Sequence, residues 1–317
     1  MQTFEEIAAS HRIAVLVPCH NEEAAIRTVV EDFRGSLPTA RIFVYDNNST
    51  DQTVRVALEA GAIVRRENRQ GKGHVVRRMF ADIEADIYVM VDGDDTYDAS
   101  AAPGLILELV NENLDVVNGA RVPVADAAFR PGHKFGNALL TRLVSLVFGK
   151  RNKDMLSGYK AMSRRMVKSF PIQSSGFEIE TELLVHALGL DLPIGEIAIP
   201  YRERGEGSAS KLRTYRDGLR IIWLISYLIR EEKPLQFFSG IAAIAVLFAI
   251  GLGTPVILEY AQSGLVPRLP TAVLAMGCVI SALLAIVCGL VLDGVSHGRR
   301  EAKALAYLSI PAPGEPR

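Results

Sequence analysis

The N-terminal two thirds of the chain alternate short apolar runs with amphipathic segments. Fully apolar, β-branched runs lie at Ile13–Val17, Ile42–Tyr45, Ile87–Val91 and Val116–Val117. Helical patterns occur between them at Glu22–Arg34, Gln52–Ala60, His74–Glu84 and Ala101–Asn111. This alternation predicts an α/β fold with a mostly parallel sheet and helices on both of its faces. Ligands of such folds bind beyond the carboxyl ends of the strands.

The C-terminal quarter of the chain has a different pattern. The runs Phe237–Leu258 and Leu269–Leu292 carry no charged residue. Each run exceeds the roughly 20 residues with which a helix crosses a bilayer. We therefore predict two transmembrane helices, at 237–258 and 270–292, within a membrane region at 236–294. The alternative is a buried helical hairpin of a soluble protein.

Basic residues flank the two apolar runs on one side only. The stretch between the runs has a single Arg, whereas the outer flanks contain Arg230, Lys233, Arg299, Arg300 and Lys303. Because basic residues accumulate on the cytoplasmic side, we expect a multi-pass protein of the cell (inner) membrane with both termini in the cytoplasm. The first residues, MQTFEEIAAS, carry acids where a signal peptide carries bases.

The segment before the first apolar run combines an apolar face with basic residues. Within Tyr215–Arg230, Trp223 and Tyr227 suit the depth of a membrane interface. This pattern predicts a helix lying on the membrane over 214–235; an ordinary amphipathic packing helix is the alternative. The predicted organisation is an α/β domain at 1–213, this interfacial region, the two spans and a cytoplasmic tail at 295–317.

Composition limits the classes of partner. The net charge of -1 gives no sign of a nucleic-acid-binding surface, so we expect no nucleic-acid partner. The three cysteines, Cys19, Cys278 and Cys288, lack the spacing of a zinc site or a disulfide framework.

Polar clusters follow three of the predicted strands. They are PCHNEE at 18–23, DNNSTD at 46–51 and DGDDTYD at 92–98. In the third cluster, carboxylates at the end of a buried strand repel one another unless they share a hard cation. Oxygen ligands select Mg²⁺ or Mn²⁺, which complete their shells with diphosphate oxygens. A solvated acidic loop is the alternative interpretation.

Two further segments suggest nucleotide contacts. We expect Asp46 to hydrogen-bond a nucleobase or ribose, as carboxylates at strand ends do in nucleotide folds. The neighbouring Asn47 and Ser49 could equally form a turn and a helix cap. Gly71, Lys72 and Gly73 precede a helix and could meet a phosphate, although the complete P-loop spacing is absent.

The ordered set of motifs resembles a known family. The segments are VLVPCHNEEAAI, VYDNNSTDQT, RQGKGHVVRRMF, VMVDGDDTY, VNGAR, DMLSGYKAM and RERGEGSASKL, within residues 13–233. They are similar to family 2 glycosyltransferases of the GT-A fold, in the branch of dolichol-phosphate mannosyltransferase and the bacterial polyprenyl-phosphate glycosyltransferases. The resemblance implies a metal-binding D-x-D at Asp92 and Asp94. Relatives often carry Gln where this chain has Thr96, and Asp95 either adds to the site or faces solvent.

The same resemblance assigns the substrate sites. For the nucleotide we expect contacts from Pro18, Asn21, Glu22, Asp46, Asn48, Asp51, Gly71, Lys72 and Asp92. For the acceptor and diphosphate we expect contacts from Arg121, Arg130, Lys134, Arg204, Ser210 and Lys211, the last three on a mobile lid. Solvated Lys and Arg side chains on exposed loops are the alternative.

The implied reaction is an inverting transfer of a hexose from a nucleotide-diphosphate sugar, of the GDP-mannose or UDP-glucose type, to a polyprenyl phosphate. Asp154, Asp94 and Arg121 are the expected catalytic residues, with Asp154 orienting or deprotonating the acceptor and Glu180 or Glu182 as second choices for that role. Alternatives are a sugar-hydroxyl acceptor, a nucleotidyltransferase and a non-catalytic membrane scaffold. The sequence determines neither the donor nor the oligomeric state, and a homo-oligomer is one of the alternatives.

Overall fold

The computed structural model describes residues 1–123, 154, 157–172, 174–176, 178–202, 227 and 230–311. Within these residues the strands are β1 (Ile13–Cys19), β2 (Arg41–Asp46), β3 (Ile63–Arg66), β4 (Ile87–Met90), β5 (Val116–Pro123), β6 (Lys160–Ser163) and β7 (Ile194–Tyr201). The helices are α1 (Phe4–Ser10), α2 (Ile26–Ser36), α3 (Thr53–Glu59), α4 (Lys72–Asp82), α5 (Ala102–Asn111), α6 (Arg164–Ser169), α7 (Ile179–Gly189), α8 (Pro234–Ser263) and α9 (Leu269–Leu308).

The strands form one mixed sheet in the order β3-β2-β1-β4-β6-β5-β7. Strands β1 to β4 pair in parallel, β6 is antiparallel to both β4 and β5, and β5 pairs in parallel with β7. All strands except β6 therefore run in one direction. The carboxyl ends of these six strands lie at one edge of the sheet. Because β6 runs in the opposite direction, its first residue lies at that same edge.

Helices cover both faces of the sheet because the strand side chains alternate. In β1, Val15 and Val17 join an apolar core with α1, α2, α3 and α5, whereas Ala14 and Leu16 join a second core with α4, α6 and α7. A sheet buried on both faces needs the continuous apolar runs seen in this sequence. The predicted α/β fold is confirmed.

All of the predicted elements of the α/β region are present in the structure, but the prediction is incomplete. The four predicted strands and four predicted helices all exist, with ends that differ by a few residues. Strands β3, β6 and β7 and helices α1, α6 and α7 were not predicted. Strand β6 has the sequence KAMS, without a β-branched residue, and pairs on both sides because tertiary contacts stabilise it there.

The described chain divides into two compact units. The first comprises Met1–Ile221 and Ala302–Arg317, and the second comprises Ile222–Glu301. The second contains all of α8 and most of α9. Both helices are long and apolar enough to cross a membrane. Helix α9 continues to Leu308, past the predicted end of the span at 292, because charged residues end a span without ending a helix. The predicted interfacial helix at 214–235 lies mostly outside the described residues.

The second unit has charged contacts near both ends of its two helices and small side chains between them. Ala242, Ala282 and Ala285 form a small buried cluster between the helices. Arg299 pairs with Glu231 near one end, and Arg268 lies 2.9 Å from Glu259 near the other. Most of the large apolar side chains on these helices are exposed, which suits a lipid environment.

The C-terminal end of α9 belongs to the first unit and packs against its core. The hydroxyl of Tyr307 donates to Asp115 Oδ2 at 2.8 Å, and the Arg165 guanidinium lies 4.7 Å from the Tyr307 ring centroid. Asp115 is fully buried and also accepts hydrogen bonds from Arg165 and Ser163. These contacts lie at the start of β5, at the edge of the sheet opposite the carboxyl ends of the strands. The predicted tail therefore stabilises the α/β unit.

We expect Tyr307→Phe to lower the free energy of unfolding by about 1–2 kcal/mol, because a buried carboxylate loses one hydrogen-bond donor. Thermal and denaturant unfolding of the full-length protein in detergent measures the change. Tyr260→Phe is the matched control, since Tyr260 is largely exposed. Equal stability of the Tyr307 variant and the parent would contradict the assigned role of the tail.

Candidate active site

Strand direction brings the predicted polar clusters to one edge of the sheet. Asp46 is the last residue of β2 and Tyr201 the last of β7, while Lys160 begins β6. The acidic turn that contains Asp92 follows β4 directly. The predicted convergence of these clusters is explained by the common direction of the strands that precede them.

The loops after β1 and β2 are joined through Asn21. Its backbone N–H donates to Ser49 Oγ at 2.9 Å, and its side-chain oxygen accepts from the Thr50 N–H at 2.8 Å. Asn21 and Asn48 have positive φ angles of 53° and 61°, a left-handed conformation that Asn tolerates better than most residues. Both residues therefore fix the shape of the loops, and their contact with a nucleotide stays a prediction.

Asp46 is fully buried at the end of β2, next to the strand pair of Pro18 and Tyr45. Its carboxylate accepts from the Ser49 N–H at 3.1 Å and from Arg66 Nε at 3.2 Å. These contacts orient the carboxylate at the sheet edge where a nucleotide is expected.

Asp51 has a structural role at the start of α3. Its carboxylate accepts from the Thr53 N–H at 3.0 Å and from the Glu23 N–H at 3.2 Å. Burial alone would raise the pKa of Asp51, but these hydrogen bonds and that of the Thr53 hydroxyl lower it below its usual value. The Glu22 N–H in turn donates to Thr53 Oγ1 at 2.8 Å. Asp51 therefore joins the start of α3 to the loop after β1, and the predicted nucleotide contacts of Asp51 and Glu22 stay predictions.

Asn47 connects the end of β2 to the loop before α4. Its side-chain amide donates to the carbonyls of Glu67 and Arg69 at 3.0 and 2.7 Å, and its oxygen accepts from the Gly71 N–H at 2.7 Å. Of the two interpretations left open for Asn47, the geometry favours the structural one.

The Gly71-Lys72-Gly73 segment packs against other parts of the protein. The Gly73 N–H donates to the Ser175 carbonyl at 3.1 Å, and Lys72 Nζ lies 2.5 Å from Asp92 Oδ1 and also contacts Glu180. Burial alone would lower the pKa of Lys72, but the two carboxylates raise it above its ordinary value. Lys72 is therefore a charged ammonium held between two acids, and its predicted phosphate contact stays a prediction.

The D-x-D turn lies against the end of β1. A Cβ at Gly93 would come within 2.5 Å of Cys19 Sγ, so only glycine permits this approach. Burial raises the pKa of the Cys19 thiol, and so do the nearby charges of Glu22, Asp46, Asp92 and Asp94. Carboxylates from the loops after β1, β2 and β4 thus concentrate negative charge around one point.

The donor set at this turn suits a hard divalent cation. Asp94 is buried, and its Oδ1 accepts from the Thr96 hydroxyl at 2.6 Å, so Thr96 supports the carboxylate in the position where relatives often have Gln. Among the described residues, no group of three His, Cys, Asp or Glu side chains could hold a metal ion alone. Asp92 and Asp94 fit an ion that takes its other ligands from a diphosphate and water, as Mg²⁺ does at nucleotide sites.

Arg121 and Asp154 form a buried ion pair beside this turn. Asp154 accepts from Arg121 Nε at 2.6 Å and from Nη2 at 2.8 Å. Burial alone would raise the pKa of Asp154, but the hydrogen bonds and charge of Arg121 lower it. Both predicted roles of Asp154, orienting or deprotonating the acceptor, stay predictions.

An aromatic row connects Arg121 to the acidic turn. The Arg121 guanidinium lies 5.4 Å from the Tyr201 ring centroid, and the Tyr97 ring lies 5.3 Å from Tyr201. The Tyr97 hydroxyl accepts from the Gly158 N–H at 2.9 Å. The Arg202 N–H donates to the Thr96 carbonyl at 2.9 Å, which attaches the end of β7 to the loop after Asp94.

Several predicted acceptor contacts cannot be placed. Arg130, Lys134, Arg204, Ser210 and Lys211 lie outside the described residues. Their predicted contacts with phosphate stay predictions.

A buried network around Lys160 has no role among the sequence-based predictions. Lys160 is fully buried, and its ammonium donates to Asn118 Oδ1 at 2.9 Å and to the Ser157 carbonyl. Asn118 Nδ2 donates to the Asp154 carbonyl at 2.7 Å, and Glu196 Oε1 accepts from the Asp154 N–H at 3.2 Å. The only signal in the sequence was the presence of Lys160 in DMLSGYKAM and Asn118 in VNGAR.

Comparison with known proteins decides the family. Residues 14–170 match the glycosyl transferase family 2. Glycosyltransferase AglJ of Haloferax volcanii is 30% identical over 295 residues, which cover 91% of this chain and 95% of that protein. The chain belongs to glycosyl transferase family 2. It is therefore a glycosyltransferase.

Two further similarities bear on this family 2 glycosyltransferase. The dolichyl-phosphate hexose transferase of Haloferax volcanii is 29% identical, over 70% of this chain and 95% of that protein. The structure of glucosyl-3-phosphoglycerate synthase from Mycobacterium tuberculosis with Mn²⁺, UDP-glucose and phosphoglyceric acid has a TM-score of 0.57 and 26% identity. It covers 72% of this chain and 83% of that one. The predicted GT-A fold is confirmed.

Gly158 gives a direct test of how Asp92 is positioned. A Cβ at position 158 would overlap the Asp92 carboxylate. We expect Gly158→Ala to lower glycosyltransferase turnover about 10²-fold, since displacements near 1 Å at reacting centres have effects of that size. Release of nucleoside diphosphate measures turnover. Gly104→Ala is the control, because nothing lies within 4 Å of its added Cβ; full activity of a folded Gly158 variant would refute the account.

The buried ammonium of Lys160 predicts a pH dependence of stability. Burial lowers the pKa of Lys160 from 10.5 to about 8. Between these values the unfolded chain binds the proton more tightly, so the stability of the parent relative to Lys160→Met should rise with pH from 8 to 10.5. The slope should reach at most about 1.4 kcal/mol per pH unit. Denaturant unfolding of both proteins at several pH values tests this, and a constant difference between them would count against it.

Proposed function

We propose that the protein transfers a hexose from a nucleotide-diphosphate sugar to a polyprenyl phosphate at the cytoplasmic face of a membrane. One observation carries this proposal: the same chain has a D-x-D turn at the sheet edge of a glycosyltransferase and two apolar helices of bilayer length. An enzyme that acts on a small soluble acceptor does not need such helices. The similarity to a dolichyl-phosphate hexose transferase supports the same substrate class.

The donor would bind across the loops after β1, β2 and β4. Asp46 is oriented there by Arg66 and Ser49 for contact with the nucleoside. Asp92 and Asp94 would hold Mg²⁺ or Mn²⁺, which when bound neutralises the charge of the leaving diphosphate. The Mn²⁺ and UDP-glucose in the mycobacterial synthase structure support a divalent ion and a nucleotide sugar.

The acceptor needs little help from a base. The second pKa of a phosphate monoester is near 6, so a polyprenyl phosphate is largely a dianion at neutral pH. The protein instead has to hold two anions together and align the acceptor oxygen behind the anomeric carbon. Arg121, fixed by Asp154 and stacked on Tyr201, is the described cation that we assign to phosphate binding. A single displacement in this arrangement inverts the anomeric centre.

The contact between Tyr307 and Asp115 supports the proposed topology. It joins the C-terminal end of α9 to the α/β unit, so both lie on the same side of the membrane. A chain that crosses the membrane twice has both of these parts on one side. The basic residues that flank the apolar runs favour the cytoplasmic side. Protease accessibility of a C-terminal tag in inverted and right-side-out vesicles tests it; cleavage only in right-side-out vesicles would overturn it.

The substrates can be identified by product analysis. The parent protein should form a lipid-linked hexose when it is incubated with polyprenyl phosphate, Mg²⁺ or Mn²⁺ and one member of a panel of GDP- and UDP-sugars. We expect Asp92→Ala with Asp94→Ala to lower the rate about 10³-fold or more, since the metal provides several kcal/mol of charge stabilisation. Mass spectrometry detects the lipid product.

Asp82→Ala is the control for loss of a carboxylate outside the proposed site. Asp82 pairs with Arg78. Three outcomes would contradict the proposal: release of pyrophosphate in place of a nucleoside diphosphate, transfer only to sugar hydroxyls, or full activity of the double variant with chelator present.

A further inference from the structure

Lys72 lies between two carboxylates that belong to different parts of the chain. Asp92 follows β4, and Glu180 is in the first turn of α7. The Lys72 and Glu180 side chains are 7% and 9% exposed, whereas that of Asp92 is 27% exposed. Asp92 is thus the most exposed of the three charged side chains, whereas Lys72 and Glu180 are both nearly enclosed.

Backbone packing makes these three side chains part of the folded core. Gly71 has a φ angle of 130°, and added Cβ atoms at Gly71 and Gly73 would overlap the carbonyls of Ser175 and Ser174. The loop before α7 therefore lies directly on the start of α4. This contact brings Glu180 to Lys72, and it needs glycine at both positions.

The Asp92 carboxylate is restricted from two sides. Lys72 holds Oδ1, and Oδ2 lies where a side chain at Gly158 would be. Burial raises the pKa of Glu180, and the ammonium of Lys72 opposes that rise. A second acid restricts the position of the Lys72 ammonium further than Asp92 alone, because the Lys side chain has several flexible torsions.

We infer that Glu180 is a positioning residue that acts through Lys72 to fix the direction of the Asp92 carboxylate. The inference rests on the proposed function, in which Asp92 helps to hold the metal and diphosphate. It differs from the prediction that Glu180 orients the acceptor. In the arrangement described, Glu180 contacts the Lys72 ammonium, and its effect reaches the donor site by way of Asp92.

Glu180→Gln keeps the size of the side chain and removes its charge. We expect it to weaken Mn²⁺ binding in the presence of UDP or GDP about 10-fold, a usual effect of losing a residue that orients a metal ligand. Calorimetry and the Mn²⁺ electron paramagnetic resonance signal measure this with the full chain and without any sugar or lipid. Glu84→Gln removes the same charge from a surface pair with Lys168 and should bind as the parent does.

A double-mutant cycle tests whether Lys72 transmits the effect. In a Lys72→Met background, Glu180→Gln should change Mn²⁺ affinity less than about twofold, because coupled residues lose their interaction once the shared partner is gone. The double variant buries two neutral side chains in place of an ion pair, which is usually tolerated. If a single variant unfolds, the Mn²⁺ affinity of the double variant is compared directly with that of the parent, and an unchanged affinity would overturn the inference.

The outcomes separate the inference from the function beneath it. If the parent itself binds no Mn²⁺ with either nucleoside diphosphate, the proposed function fails. If the parent binds and Glu180→Gln binds equally well while kcat alone falls, Glu180 acts on the acceptor and the inference is wrong. A 10-fold loss that persists in the Lys72→Met background would also overturn it, because Glu180 would then act directly.

Discussion

The folded state of this protein depends on compensating the negative charge of several carboxylates at one edge of the sheet. Glu22, Asp46, Asp92 and Asp94 come from the loop after β1, the end of β2 and the turn after β4, and their charges raise the pKa of the buried Cys19 thiol. Like charges this close oppose folding unless cations or hydrogen-bond donors offset them. Negative charge gathered in this way attracts a divalent ion, which is the role that we propose for Asp92 and Asp94.

Cations and hydrogen-bond donors offset the charge of Asp46, Asp92 and Asp94. Arg66 and the Ser49 N–H hold Asp46, the Thr96 hydroxyl holds Asp94, and Lys72 holds Asp92. These partners come from β3, from the loop after β2, from the acidic turn itself and from α4. Carboxylates oriented in this way before a substrate binds are the preorganisation that electrostatic catalysis requires.

A second charged pair, Arg121 with Asp154, lies where we propose that the acceptor binds. Asp154 is buried and Arg121 is partly buried, and Asn118 and Glu196 hydrogen-bond the backbone of Asp154 while Lys160 holds Asn118. Gly158 lies in the same short segment and touches Asp92. Asp154 contacts Arg121 and Gly158 lies against Asp92, so these two positions link the proposed donor and acceptor sites.

The sequence alone determined the α/β alternation, the two long apolar helices and the acidic turn after β4, because local apolar periodicity and uninterrupted hydrophobicity are properties of neighbouring residues. It did not determine that KAMS forms β6, that Lys72 is enclosed by Asp92 and Glu180, or that Tyr307 reaches Asp115. These contacts join residues far apart in the chain. Only the tertiary structure decides them, because the energy of a buried charge or of a strand without strong propensity depends on which distant partners surround it.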